Sequence, residues 1–264
     1  MKVAVISGTG TQCSKSTLII TLATVFAATQ KKVSMILSTE EMSDVLDMVQ
    51  YKRSKSVLSS ASVLSSVLHS EQSQSMSIFD YGLRVGDSNT FLYDIFDSTY
   101  DKVELGNILL DVLKRAKSDL TLVEVKGDLN SELNQEILDT VDCILYLFDA
   151  SQKSIKQVQY YKQNMSKDIV VRTGYVCAKF DRNVVDENKL AKMLGITVRE
   201  LLVFPYNAVL QKLALTGTLN MVTDHIILGH AETTNLRIRM LEMMQYLFDT
   251  GSWHYIKGVD EWIK

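Results

Sequence analysis

The stretch MKVAVISGTGTQCSKSTLIITLATVFAATQ, residues 1–30, decides the fold. Val3, Ala4, Val5 and Ile6 form a short apolar run, Ser7 to Ser14 supplies a small polar turn, and from Ser16 apolar residues continue for several helical turns. Strand, loop and helix therefore follow one another directly. In such a unit the loop N–H groups and the helix N-terminus point at one spot, where aligned dipoles and unpaired donors favour an anion. Lys15 adds a mobile positive charge, and Ser16 a hydroxyl suited to a magnesium ion.

The pattern G-x-x-x-x-G-K-[ST] is met only in part. Counting back from Lys15, the two glycine places hold Ser14 and Thr9, while Gly8 and Gly10 flank the first place. A non-glycine residue in the left-handed conformation costs roughly 1–2 kcal/mol. If Ser14 adopts it, nucleotide affinity falls by about tenfold. Two readings stay open. One is a weakened phosphate loop formed by Gly8, Gly10, Thr11, Gln12, Cys13 and Ser14, with Lys15, Ser16 and Thr17 at the helix start. The other is an ordinary turn in which Ser14 caps the helix.

A chain of 264 residues with 46% hydrophobic and 22% charged residues is ample for one large α/β domain with a substantial core. Residues 1–250 are expected to form it, with 251–264 as a C-terminal tail packed on the domain. The net charge of -3 gives no general attraction to nucleic acid or anionic lipid. The opening apolar run is too short for a signal peptide, and no apolar stretch is long enough to span a bilayer, so a cytoplasmic location is expected. Cys13, Cys143 and Cys177 are odd in number and lack C-x-x-C spacing, so no disulfide framework or zinc site is indicated. Cys143 and Cys177 read as small core residues. Cys13 lies beside the helix start and Lys15, a setting that lowers a thiol pKa, although a tolerated small residue is the simpler reading.

Farther along, Val33 to Leu37 reads as a second strand, ending at Ser38-Thr39-Glu40-Glu41, where a capped helix begins. Residues 54–77 combine many serines with a helix-like apolar spacing, and Ser77 to Tyr81 reads as a short strand before the turn at Gly86-Asp87-Ser88. A helix is expected from about Asn107, with Lys114, Arg115 and Lys117 at its C-terminal end. Asp119 to Val125 is a core strand whose acidic residue, Glu124, stands near the end that faces the ligand crevice in open α/β sheets. Cys143 to Phe148, a helix from about Ser154 to Met165, and strand-like runs at Ile169 to Val171 and Thr173 to Cys177 continue the alternation. The expected architecture is a doubly wound, mostly parallel sheet with helices on both faces, like that of P-loop NTPases.

Set in this register, the chain resembles the MinD/ParA group of P-loop ATPases nearly end to end, and within it the CpaE and TadZ proteins of pilus and secretion assembly. KSTLIITLATVFAATQKKV is similar to the deviant Walker A helix and second strand, SDLTLVEVKGDLNSE to the Walker B strand and its switch region, and LDTVDCILYLFDAS to the following helix end and strand. GYVCAKFDRN is similar to the base-proximal strand, which makes Lys179 a nucleotide-binding candidate. Leu202 to Leu210, LVFPYNAVL, resembles the I-P-x-D-x-x-L segment after the last strand and holds Pro205, the only proline.

The resemblance implies ATP or ADP with Mg2+, held by the loop residues, Lys179 and Pro205, with Ser16 and Glu124 at the metal and Glu124 and Glu40 as catalytic candidates. The departures from the pattern bear on activity. The family's second lysine, five residues before Lys15, is Gly10 here. The second-strand aspartate that orients water becomes Ser38 or Thr39, with Glu40 next, the Walker B aspartate becomes Glu124, and the adenine-reading asparagine becomes Ala178. Loss of a cationic clamp on a transferring phosphate costs about 10³–10⁵ in rate. Ground-state contacts need not coincide with those of the transition state, so binding survives slow hydrolysis.

The resemblance thus implies a nucleotide-binding assembly or positioning factor for a pilus or secretion apparatus, with weak or absent ATPase activity. It also implies a homodimer, nucleotide-dependent or constitutive, and protein partners in an assembly machine. The alternatives are a ParA-like DNA partition ATPase and a nucleotide-free scaffold. Arg237, Arg239 and Lys212 are too sparse a basic set to favour DNA. Trp253 to Lys264 mimics a membrane-targeting tail, but Asp260 and Glu261 interrupt it, which favours packing on the domain.

Overall fold

The computed structural model describes residues 1–8, 15–29, 31–37, 48, 83–84, 90–94, 102–125, 129–164, 172–183, 185–227 and 229–248. Within them the order is β1 (Lys2–Ser7), α1 (Lys15–Ala27), β2 (Val33–Leu37), β3 (Leu83–Arg84), β4 (Thr90–Asp94), α2 (Lys102–Arg115), β5 (Leu120–Glu124), α3 (Glu132–Thr140) and β6 (Cys143–Phe148). There follow α4 (Gln152–Asn164), β7 (Arg172–Phe180), α5 (Glu187–Leu194), β8 (Leu201–Pro205), α6 (Ala208–Leu215), α7 (Val222–Ile227) and α8 (Thr234–Phe248).

The strands make one sheet in the order β3-β4-β2-β5-β1-β6-β7-β8. Every neighbouring pair is parallel except β3 with β4. Side-chain alternation divides the core between the two faces. Val3, Val5, Leu122, Leu145 and Leu147 pack with α1 and with α6, α7 and α8, while Ala4, Ile6, Val123, Ile144 and Phe148 pack with α2, α3, α4 and α5. A period of two is what a strand buried on both faces requires. The α/β architecture expected from the sequence, mostly parallel with helices on both sides, is the one observed.

Helix α1 is apolar on all sides, and Leu18 to Ala27 are all buried. It lies on β2 and β5 and is covered by α7 and α8, so from Leu18 onward no face of it meets water. Its two deepest hydroxyls are satisfied locally, Thr21 donating to the Thr17 carbonyl at 2.7 Å and Thr24 to the Ile20 carbonyl at 2.8 Å.

Several boundaries differ from the sequence expectation. α2 begins at Lys102 rather than near Asn107. β4, Thr90-Phe91-Leu92-Tyr93-Asp94, is a strand that the sequence analysis does not anticipate; five residues are too short a run to show a clear period, and pairing with β2 makes it a strand. Leu201 to Pro205 is itself the last strand, not a segment beyond it, because all five residues are buried beside β7. The expected elements at residues 38–47, 54–81 and 169–171, and the tail from residue 249, lie outside the described residues. Among the described residues no helix is long and apolar enough to cross a membrane.

Candidate functional site

Chain connectivity changes direction at β1. The chain leaves it for β2 on one side and later returns from β5, past β1, to β6 on the other. In a doubly wound sheet the crevice beyond the strand C-termini at such a point is where ligands bind. The C-terminal ends gathered there are Ser7 of β1, Glu124 of β5, Phe148 of β6, Phe180 of β7 and Pro205 of β8.

Parallel register sets Glu124 beside Val5, near the end of β1. Lys15, the first residue of α1, reaches across the same edge. Its Nζ stands 3.4 Å from Glu124 Oε1 and donates to the Val125 carbonyl at 3.2 Å. Both members of the pair are largely withdrawn from water, with side-chain exposures of 15% for Lys15 and 2% for Glu124. The second carboxylate oxygen, Oε2, is buried and has no hydrogen-bond partner. A buried acceptor left without a donor calls for an explanation in a native protein. An oxygen of this kind beside the helix start is a donor that suits a hard cation such as Mg2+, directly or through a water. Ser16 and Thr17 occupy the next two positions of α1 and are half-buried. The residues present therefore fit a magnesium–phosphate group. Lys15 and the start of α1 would face the phosphate and Glu124 and Ser16 the cation.

Gly8 follows β1 directly, and the reason for glycine there is steric. A Cβ at this position would stand 2.3 Å from Gln157 Oε1 and 3.2 Å from the Tyr146 hydroxyl. Gln157 on α4 and Tyr146 on β6 are thus neighbours of Gly8 that sequence reasoning misses, since nothing in their local spacing points to β1. The loop candidates Gly10, Thr11, Gln12, Cys13 and Ser14, and the catalytic candidate Glu40, lie outside the described residues.

At the same edge, Lys179 is the single non-glycine residue with positive φ among the described residues, at 54°. The register between β7 and β8 shifts between Ala178 and Phe180, and Lys179 is the exposed residue of that irregularity. Holding it there costs roughly 1–2 kcal/mol. Ala178, by contrast, is 1% exposed and packed in the core with α1, so the position that resembles a base-reading asparagine presents no polar group. Pro205 closes β8 and is buried. Asp149, just past β6, receives the Ser151 N–H at 2.9 Å. Burial raises its carboxyl, but the bonds from Ser151 and Ser154 and the charge of Lys179 outweigh it and hold the group below the ordinary aspartate value.

Arg239, a candidate DNA contact from sequence, is not a surface cation. It is 9% exposed on α8, donates to Glu187 at the start of α5, and donates to Glu242 Oε2 at 2.7 Å. Arg182 also pairs with Glu187, at 3.3 Å.

No family model matches the chain, and no curated protein matches it in sequence. Solved structures do match. The MinC:MinD cell division protein complex of Aquifex aeolicus superposes with a TM-score of 0.69 at 13% identity, over 95% of this chain and 97% of the other. A ParA family ATPase from Chlorobium tepidum gives 0.68 at 13% identity, over 92% of this chain and 97% of the other. The fold is that of the MinD and ParA ATPases. The septum site-determining protein MinD of Pyrococcus horikoshii, complexed with Mg-ADP, gives 0.68 at 12% identity over 97% and 98%. Coverage at this level means that the MinD/ParA-type fold accounts for nearly the whole chain rather than for one motif within it.

Proposed function

We propose that the protein binds ATP or ADP with Mg2+ at the C-terminal edge of the sheet and hydrolyses it slowly or not at all. The observation that carries this reading is the meeting of Lys15 with the buried Glu124 at the start of α1, with Glu124 Oε2 left unpartnered. The Mg-ADP complex of the Pyrococcus horikoshii MinD, which shares this fold, supports the ligand class. Slow turnover follows from sequence. Gly10 carries no charge where the resembling family places a second lysine, and a missing cationic clamp costs about 10³–10⁵ in rate.

In the same reading the protein is an assembly or positioning factor of the CpaE/TadZ type, acting as a homodimer within a pilus or secretion apparatus. That role rests on the sequence resemblance. DNA partitioning is the weaker reading, since Arg239 is engaged with Glu187 and Glu242.

Titration calorimetry of ATP and ADP in magnesium buffer tests the proposal. Wild type is expected to bind, and Lys15→Ala to lose at least about tenfold in affinity, the scale of one charge-assisted contact. No binding of either nucleotide by wild type overturns it.

A further inference from the structure

We propose that His225 and His230 form a two-imidazole site for a divalent transition-metal ion of the Zn2+ class. They are two of the chain's four histidines and close the run HIILGH, residues 225–230. A gap of about three to five residues between two histidines is the one by which zinc commonly takes a pair of imidazoles from a single segment.

The fold fixes how that segment turns. His225 lies in the last turn of α7, which the fully buried Val222 and Ile226 anchor in the core. Gly229, at φ 70°, then redirects the chain; a Cβ there would meet no neighbour, so glycine serves the left-handed backbone and not a close approach. Beneath the turn, the hydroxyl of the buried Thr233 stands 2.9 Å from both the His225 and the His230 carbonyl and shares its proton between them. The two backbones are thus tied to one point, and the two rings come to 5.4 Å between centroids, tilted by 45°.

That separation matches a shared ion. A zinc ion about 2.0–2.1 Å from a ring nitrogen lies about 3.2 Å from the ring centre, so two imidazoles on one tetrahedral ion have centres about 5.2 Å apart. A tilted pair can turn its edges, where the nitrogens lie, toward one point, whereas a stacked pair presents its faces. His230 is exposed and His225 half-buried, so an ion can reach the rings from water. Among the described residues no hydrogen bond or ion pair engages either imidazole, and no third histidine, cysteine or carboxylate joins them in a metal-sized group. The remaining coordination positions fall to water or to a ligand from outside the chain. Imidazole nitrogen suits Zn2+, Ni2+ and Cu2+, while Mg2+ prefers oxygen, so this site takes a different ion from the nucleotide crevice.

Calorimetric titration of Zn2+ alone into the full chain, in a buffer that does not chelate, tests the site. Wild type is expected to bind Zn2+, and His225→Ala and His230→Ala each to lose at least about tenfold in affinity, since one nitrogen cannot chelate. The double variant His69→Ala, His254→Ala is expected to keep the wild-type affinity. No Zn2+ binding by wild type, or single variants at 225 and 230 that bind as tightly as wild type, overturns the site. Circular dichroism establishes that the variants are folded. Proton NMR needs no substitution: the ring signals of His225 and His230 are expected to shift together at the first additions of Zn2+, and a shift of the His69 or His254 signals ahead of them overturns the pairing.

Discussion

Arg239 on α8 and Glu187 at the start of α5 form an ion pair that is largely shut off from water, with side-chain exposures of 10% and 20%. Glu242 holds the other side of the guanidinium at 2.7 Å. Burial disfavours the charge on Arg239, but the two carboxylates more than offset it and raise its pKa above the ordinary arginine value. Arg239→Met is expected to destabilise the fold by about 1–3 kcal/mol, because the partly buried Glu187 loses its better-shielded counter-charge and keeps only the exposed Arg182. The double variant Arg239→Met, Glu187→Gln is expected to recover part of that loss. Urea unfolding of the four members of the cycle measures the coupling; strictly additive losses would mean that the pair does not act as one unit.

Asn207 joins two elements through one side chain. Its oxygen accepts the Leu210 N–H at 3.1 Å and caps α6, while its amide donates to the Glu232 carbonyl at 2.9 Å. Asn207→Ala removes both bonds and is expected to cost about 1–2 kcal/mol. Asn207→Asp keeps the cap but loses the donor to Glu232, so its unfolding midpoint should fall between those of wild type and the alanine variant.

Gly174 sits where β7 passes beneath α8. An added Cβ would lie 2.8 Å from the Tyr246 ring and 3.0 Å from Leu202. The Tyr246 ring cannot simply step aside, since the Arg172 guanidinium lies over it, 4.7 Å from the centroid. Gly174→Ala is expected to lower stability by about 1–3 kcal/mol through overpacking. Truncating the obstacle, in Gly174→Ala with Tyr246→Leu, should return part of the loss in the same melting assay.

Alkaline pH should weaken the fold from pH 9 upward. Burial pushes the Cys143 thiol up from 9.0 to about 11. Burial, followed by the charge of Glu200, takes the Tyr175 hydroxyl from 10.0 to about 12. For both groups the folded chain keeps a proton that the unfolded chain releases. Their contribution is whole below the unfolded values and is lost as pH rises through the folded ones. Each group adds a slope of at most about 1.4 kcal/mol per pH unit. Denaturant unfolding between pH 8 and 11 should show a decline beginning near pH 9, and Cys143→Ala should delay its onset by about one pH unit, toward the tyrosine range.

Much of the site's framework is legible in local pattern. The run Val3 to Ile6, the turn and the apolar stretch after Ser16 mark β1 and α1, and Glu124 stands near the end of a recognisable core strand. Lys15 and Glu124 can thus both be picked out one at a time. Gln157 and Tyr146 cannot, nor can the positive φ of Lys179, because these follow from how β6, β7 and α4 lie against β1 and β8.

The sequence by itself determined the class of fold, since short apolar runs on the strands alternating with longer helix-spaced apolar segments are properties of consecutive residues. It also determined which charges and hydroxyls follow the first strand. Only the tertiary structure decided which groups meet. Parallel register of β1 with β5 brings Glu124 to Lys15, and the meeting of α8 with the start of α5 turns Arg239 from an apparent surface cation into a largely buried partner of Glu187. Such pairings depend on elements far apart in the chain, and the energy of a charge depends on the burial those elements create.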